Sequence, residues 1–309
     1  MRWLALFVLS LLCMQATAGE TRLTTNPSDD RSPAWSPDGT TIAFSSDRVA
    51  GIADIWLMDA GGEAVSIDRL TTNDDLWHDM DPCWYPDGSH LAFDLVDFTD
   101  WTNDIYAADS RGTDYGFYQL TYTHSAAYDH DPQCSRAGPS AIAFTSDRAG
   151  GEPDVWKMDS GGEWHWVHAL TTHPAKDEMG SWAPAGNFIY FTSERSGGSC
   201  IWKMDSSGEA EGLWQITFSG LDSSPACSPD GTRLAFARAG LGIFVMDLGA
   251  GVENQVTDGA WDGSPTWSPD GQLLAFERLE SNWDIWATDS TGASPVAKES
   301  WGRIKALFR

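Results

Sequence analysis

Short hydrophobic strands alternate with polar turns along this chain, and one pattern of both recurs six times at intervals of 40 to 50 residues. Each repeat has a turn that ends in Gly, a strand that ends in Phe, and a third segment with an aliphatic-aromatic pair followed by Asp. Proline at the second turn position and glycine at the last favour a tight reversal between strands. The turn glycines are Gly39, Gly88, Gly138, Gly186, Gly231 and Gly271; the phenylalanines are Phe44, Phe93, Phe144, Phe191, Phe236 and Phe276.

A further column pairs an aliphatic residue with Thr, and it is displaced relative to the others. Leu70-Thr71 follows the first repeat's third segment, the sixth repeat has no such pair, and Leu23-Thr24 stands ahead of the first repeat. Four short strands in each repeat of this length are typical of β-propellers. We therefore predict an all-β fold, a six-bladed β-propeller of four-stranded blades, with the N-terminal strand closing the last blade. Val296 to Lys298 is the competing outer strand of that blade.

These motifs resemble the WD-like propeller repeat of the TolB family. The first repeat carries them as Trp35-Ser36-Pro37-Asp38-Gly39, Ile42-Ala43-Phe44, Ser46-Asp47-Arg48 and Ile55-Trp56-Leu57-Met58-Asp59. The resemblance implies a propeller over nearly all of the chain. TolB itself has an α/β domain ahead of its propeller, and we expect none here: residues 19–309 are predicted to form a single propeller domain with a short basic tail at 296–309.

Residues 1–18 are predicted to be a signal peptide. Arg2 precedes an apolar run from Leu4 to Leu12, and Ala16-Thr17-Ala18 is a small-x-small cleavage site. The run is too short for a membrane span, which needs about 20 apolar residues, and we expect no transmembrane segment elsewhere. A lipoprotein cysteine at Cys13 is disfavoured because the bulky Leu12 precedes it. We therefore predict a periplasmic or secreted protein.

The formal charge of −26 excludes nucleic acid as a partner, because its phosphates would be repelled. Solubility alone can account for this charge, as can a cationic partner or a divalent cation such as calcium. The cysteines fit no metal or redox motif. Although export permits disulfides, we predict small buried thiols at Cys83, Cys134, Cys200 and Cys227.

Every repeat also carries an Asp three residues before the inner-strand Pro or its equivalent. This position leads into the inner strand at the mouth of the central channel, so six carboxylates are predicted to ring one opening. Such a ring suits a divalent cation or a basic group on a peptide. Alternatively each Asp accepts backbone hydrogen bonds and sets its loop, and recurrence in every repeat favours that role. The candidate ligand-binding residues are Asp30, Asp79, Asp129, Asp177, Asp222 and Asp262, together with His78, His130, Trp77, Tyr128 and Trp261.

Arginines close the Ser-Asp-Arg triplets that end the second strands, at Arg48 and Arg148. We predict that these arginines tie the following hairpins through Asp54 and Asp154.

The sequence contains no nucleophile elbow, zinc-protease motif or phosphate-binding glycine loop. The preferred interpretation is therefore a non-enzymatic binding or scaffold protein, expected to be monomeric, that engages a protein, peptide or cation at the channel mouth. The alternative is a metal-assisted carbohydrate-active enzyme, a lyase or hydrolase, that uses the same mouth.

Overall fold

The computed structural model describes residues 19–72, 77–99, 102–112, 116–122, 127–137, 141–162 and 167–291. The predicted signal peptide, the basic tail at 296–309 and the competing strand at Val296 to Lys298 lie outside the described residues.

The described residues form six antiparallel sheets of four strands each, which confirms the predicted fold. Consecutive strands of a blade run from the central channel outward, so the first strand of each blade is the inner one. Blade 1 contains β2 (Asp30–Trp35), β3 (Thr41–Val49), β4 (Ile52–Asp59) and β5 (Ile67–Arg69); blade 2 contains β6 (Trp77–Trp84), β7 (His90–Asp97), β8 (Thr102–Asp109) and β9 (Phe117–Gln119); blade 3 contains β10 (Asp129–Cys134), β11 (Ala141–Ser146), β12 (Asp154–Asp159) and β13 (Val167–Ala169). Blade 4 contains β14 (Asp177–Trp182), β15 (Phe188–Ser193), β16 (Cys200–Asp205) and β17 (Gly208–Gln215); blade 5 contains β18 (Asp222–Cys227), β19 (Arg233–Arg238), β20 (Gly242–Asp247) and β21 (Val252–Gln255); blade 6 contains β22 (Gly263–Trp267), β23 (Leu273–Leu279), β24 (Trp283–Asp289) and, from the N-terminus, β1 (Thr21–Arg22).

The N-terminal segment closes the ring as predicted. Thr21 and Arg22 pair with β24, and the amide of Leu23 donates to the carbonyl of Ile285 at 2.7 Å. The hydroxyl of Thr24 accepts from the amide of Ile285 at 2.9 Å. The same contact joins Thr71 to Ile55 in blade 1 at 3.0 Å. The aliphatic-Thr column therefore recurs because its hydroxyl caps the third strand, and the seam reuses this joint between the chain's two ends.

The phenylalanines of the second strands are buried between neighbouring blades, with at most 1% exposure. The expectation that these strands end at Phe is wrong, because each strand continues two to five residues beyond it. Three inner-strand tryptophans link adjacent blades: Trp84, Trp182 and Trp267 each donate their indole N–H to a carbonyl of the preceding inner strand. Blade packing is thus both apolar and hydrogen-bonded. The described part of the chain contains no helix long and apolar enough to cross a membrane.

The inner strands all share one irregularity. In each blade the pairing of the first and second strands shifts register just before the middle of the inner strand. In five blades the residue at this bulge has a left-handed backbone, with φ between 47° and 52°. These residues are Ser32, Asp81, Asp131, Ser224 and Ser264. A proline follows each of them. The bulge is therefore part of the architecture, and bulges redirect the side chains they carry.

The prediction of four buried thiols is wrong for two of them. Cys83 and Cys134 form a disulfide, with a Cα–Cα distance of 5.9 Å. They occupy equivalent positions on the inner strands β6 and β10, which the narrow channel brings to the separation that a disulfide requires. Cys200 and Cys227 are buried free thiols, as predicted.

Candidate functional site

The six aspartates of the predicted ring lie at the start of the inner strands, but they have almost no exposed surface. Five are fully buried and Asp262 is 6% exposed. In five blades of the described chain an arginine from the end of the second strand pairs with this carboxylate, at up to 2.9 Å. The pairs are Asp30–Arg48, Asp129–Arg148, Asp177–Arg195, Asp222–Arg238 and Asp262–Arg278. We call them the Asp–Arg pairs.

The prediction that Arg48 and Arg148 tie the following hairpins is wrong, because these arginines pair with Asp30 and Asp129 instead. Arg48 lies over the rings of Phe44 and Trp56, at 5.2 and 5.0 Å from their centroids. Asp54, its expected partner, pairs instead with Arg69 at 2.7 Å. An arginine inside the blade can satisfy a fully buried carboxylate and stack on aromatic rings at the same time. The Asp, Arg, Phe and third-strand aromatic positions of the repeat therefore pack against one another within a blade, as Asp30, Arg48, Phe44 and Trp56 do in blade 1.

Burial dominates the electrostatics of these aspartates. It raises the pKa of Asp30, Asp129 and Asp177 above the ordinary value, against the lowering effect of the arginines and of hydroxyl hydrogen bonds. Side chains so enclosed are well placed to hold the inner strands. Ligand contact by the six aspartates stays a prediction.

The other predicted site residues are dispersed along the same end of the propeller. His78 packs edge-on against Phe98 at 4.9 Å and accepts from the amide of Ala53 at 3.4 Å, and burial lowers its pKa. Trp77 begins β6 and is partly buried. Tyr128 is 40% exposed and Trp261 is 66% exposed. Of the predicted histidines and aromatics, His130 alone joins the cluster described next.

A second group of acidic side chains gathers around the inner-strand bulges, and we call it the acidic well: Asp81, Asp94, Asp131 and Glu277. Ser32 connects two of its members, since its hydroxyl donates to Asp81 at 2.5 Å and its amide to Glu277 at 3.0 Å. Asp81 and Asp131 line a central cavity of about 340 Å³. In blades 2 and 3 the bulge therefore places a carboxylate at the channel, at the position where three other blades have Ser32, Ser224 and Ser264.

The charges of the well are strongly coupled. Burial, followed by the charge of Asp131, raises the pKa of Asp94 to about 6. Burial and the charges of Asp131 and Asp94 raise the pKa of Asp81 well above its ordinary value. For His130, burial would lower the pKa, but the hydrogen bond to Asp131 at 3.0 Å and the surrounding carboxylates raise it to about 9. These shifts favour a protonated imidazole at His130 and oppose the simultaneous ionisation of Asp81 and Asp94.

Asp94 and Glu277 were missed as site residues by the sequence analysis. Both stand one residue after the phenylalanine that the repeat places in the second strand. The other blades have Ser45, Thr145, Thr192 and Ala237 at this position. The sequence signal for these two residues was an acidic side chain in a column that is otherwise small and uncharged. This signal points to the site only once the second strand is known to pair beside the bulge of the inner strand.

An apolar surface lies at the same end of the propeller, and we call it the apolar rim: Phe218, Leu221, Leu241 and Trp261. They are 76%, 50%, 47% and 66% exposed. Their loops run side by side, since the amide of Ala239 donates to the carbonyl of Leu221 at 2.9 Å and that of Gly240 to the carbonyl of Ala260 at 3.3 Å. Connections into inner strands and hairpins between second and third strands share one end of each blade, so the rim and the start of the inner strands face the same side.

Among the residues that the structure describes, no group of three or more His, Cys, Asp or Glu side chains has the arrangement to hold a metal ion. The well thus offers carboxylates to a cation without the coordination shell of a hard metal.

Comparison with known proteins agrees with the repeat motifs. Residues 163–296 match the family model described as the TolB beta propeller domain, which confirms the resemblance. A solved structure assigned as TolB from Agrobacterium tumefaciens is 21% identical, with a TM-score of 0.66 over 87% of this chain and 96% of the other. A search of curated protein sequences finds no match.

The fold also occurs in enzymes. A gluconolactonase from Xanthomonas campestris is 14% identical, with a TM-score of 0.65 over 87% of this chain and 88% of the other. Oligogalacturonate lyase structures, one from Vibrio parahaemolyticus and one in complex with manganese, are 13% identical, with TM-scores of 0.59 over 91% of this chain and 96% and 94% of theirs. At these identities the likeness shows the fold alone.

Proposed function

We propose that the protein is an exported binding propeller that holds a peptide segment of a protein partner at the mouth of its channel. Two observations carry this proposal: Asp81 and Asp131 of the acidic well line a cavity of about 340 Å³ in the central channel, and the apolar rim lies at the end of the propeller where the inner strands start. A peptide can occupy both, because it offers side chains of either kind at fixed spacing along one chain. Export and a periplasmic or extracellular location follow from the proposed signal peptide.

The rim supports a macromolecular partner. Four large apolar side chains on neighbouring loops are about half exposed or more, and contiguous apolar surface of this kind is typical of interaction sites. Aromatic residues such as Trp261 are common anchors in such interfaces. Binding of a protein through the apolar rim requires no catalytic group in the channel.

A peptide-binding selection tests this proposal. The mature protein, beginning at Gly19, is immobilised and screened against a random dodecapeptide display library, and selected peptides are resynthesised for calorimetry. We expect binders whose affinity falls at least tenfold for Trp261→Ala with Phe218→Ala. Val65→Ala, which removes an exposed apolar side chain in the β4–β5 connection, is the matched control. A selection that yields no binder, or binders equally tight to the rim variant, would contradict the proposal.

The second candidate is an enzyme that works at the same mouth. Asp94, with its pKa raised to about 6, and the protonated His130 are groups of the kind that general acid catalysis uses. The described residues do not fit a metal, so no metal step is assigned. An acidic well repels an anionic oligogalacturonate, whereas a neutral lactone meets no such barrier. Turnover of gluconolactone that Asp81→Asn abolishes would replace the binding proposal.

A further inference from the structure

The acidic well contains a buried carboxylate oxygen that lacks a hydrogen-bond donor. Asp94 is 1% exposed, and its Oδ2 accepts from the amide of Asn103 at 3.1 Å. Its Oδ1 has no donor among the described residues. Asp81 lies within hydrogen-bonding reach of this carboxyl group. Two carboxylates can bond to each other only when one of them holds a proton, so the pair is incomplete in its fully ionised form.

The groups that face Asp94 are predominantly acidic. Asp81 approaches from β6, Asp131 and His130 from β10, and Asn103 from β8. Glu277 on β23 adds negative charge at Asp81. These four carboxyl groups are accompanied by the imidazole of His130 and the guanidinium of Arg31, and Arg136 lines the same cavity as Asp81 and Asp131.

His130 and Arg31 each have another partner. His130 is bonded to Asp131, and Arg31 stacks over the ring of Trp283 at 4.1 Å while its charge acts on Glu277. Neither supplies a donor to Oδ1 of Asp94. The cavity lined by Asp81 and Asp131 therefore gives room and charge for one more cation, and the neighbouring Asp94 supplies an unused acceptor.

We propose that the acidic well binds the ammonium or guanidinium group of a basic side chain on the peptide ligand, and that this cation replaces the proton shared by Asp81 and Asp94. The inference rests on the proposed peptide-binding function and names the chemistry that the channel recognises. A planar guanidinium or an ammonium brings N–H donors to carboxylates without demanding the coordination geometry of a metal. The described residues provide no metal-holding group, so the organic cation is favoured over calcium.

Proton release distinguishes this proposal from simple charge attraction. The carboxyl pair holds a proton while empty and loses it when a cation arrives, so binding must strengthen as pH rises. One proton released corresponds to an affinity gain of up to about tenfold per pH unit below the pKa of the pair. A surface charge contact would change with salt but would release no proton.

The experiment uses blocked peptides, acetyl-Gly-Gly-Arg-Gly-Gly-amide and the same peptide with citrulline, which keeps the shape of arginine but is neutral. Calorimetry at pH 5.5, 6.5 and 7.5, in two buffers with different ionisation enthalpies, gives affinity and proton release together. We expect at least tenfold tighter binding of the arginine peptide at pH 7.5, release of about one proton at pH 5.5, and weaker binding at that pH. Tightly bound Ca²⁺ or Mn²⁺ at one equivalent would overturn the choice of an organic cation.

Two variants keep the proposal testable. Asp94→Asn should remove the proton release and the pH dependence, and Asp131→Asn should weaken arginine-peptide binding while leaving proton release in place. Asp68→Asn, an exposed carboxylate on the outer strand β5, is the matched control and should change neither. Equal binding of the arginine and citrulline peptides, or pH-independent binding, would overturn the inference. Library peptides without basic residues that still depend on Trp261 would leave the proposed function intact and remove this inference alone.

Discussion

The Asp–Arg pairs and the acidic well stand on the same inner strands but differ in what neutralises their carboxylates. Asp129 and Asp131 are two residues apart on β10. Asp129 is fully buried and meets the guanidinium of Arg148, whereas the side chain of Asp131 keeps 20% exposure and meets the titratable imidazole of His130. Asp129 is therefore neutralised by a side chain that is always charged, whereas Asp131 lines the channel cavity and is paired with a side chain that can lose its proton.

The difference follows the repeat. An Asp recurs at the first position in all six blades, and an arginine recurs opposite it in five. The acidic well is assembled from positions where individual blades depart from their neighbours, at Asp81, Asp94, Asp131 and Glu277. A column that recurs in every blade serves a need that every blade has, which is packing. Departures confined to a few blades, and adjacent in space, indicate a site.

Removing one arginine from an Asp–Arg pair gives the largest expected effect. Arg195→Met leaves Asp177 fully buried without its cation, and Arg195 also bridges to Glu209 at 2.8 Å. Breaking a buried pair on one side costs about 3–5 kcal/mol. We expect urea denaturation of the variant at pH 7 to show this loss in the free energy of unfolding.

Two further variants isolate the cause of that loss. The double variant Asp177→Asn with Arg195→Met removes the stranded charge and should recover a large part of the stability. Arg111→Met removes an arginine whose side chain is 66% exposed in its pair with Asp109, and should leave stability unchanged. If Arg195→Met were as stable as Arg111→Met, the packing role of the Asp–Arg pairs would be wrong.

Loss of the disulfide between Cys83 and Cys134 gives the next largest expected effect on stability. This disulfide joins the two inner strands that carry Asp81 and Asp131. Cys83→Ala with Cys134→Ala opens a loop of 51 residues. For a loop of this length the chain-entropy model gives about 4 kcal/mol, and removal of a native disulfide typically costs about 2–5 kcal/mol. Urea denaturation with and without reductant measures this loss. Reductant should lower the stability of the parent protein toward that of the variant and leave the variant unchanged; equal parent stability in both conditions would argue against the bond.

The number of blades, the closing strand and the place of the aspartates at the start of the inner strands all followed from the sequence columns, because each column has a local cause such as a turn, a cap or an apolar pair. The arginines that pair with those aspartates could not be predicted from the sequence columns. Arg48 is separated from Asp30 by a turn, and nothing in the spacing shows that it folds back rather than forward to Asp54. Asp94 and Glu277 lie on second strands of blades 2 and 6, and their approach to one channel depends on ring closure and the bulges.

A substitution in the acidic well gives the smallest expected effect, and it should stabilise the protein, whereas the preceding substitutions destabilise it. The pKa of Asp94 rises from 3.8 to about 6 on folding. Its contribution to stability is therefore fully present below pH 3.8 and is lost as pH rises through about 6. At pH 7.5 the ionised carboxylate opposes folding, so Asp94→Asn should increase the free energy of unfolding by on the order of 2 kcal/mol there, and by much less at pH 4.5. Urea denaturation at the two pH values measures this difference, with Asp68→Asn as the control. An equal change at both pH values would show that Asp94 is already neutral or already paired, and the contrast with the Asp–Arg pairs would then disappear.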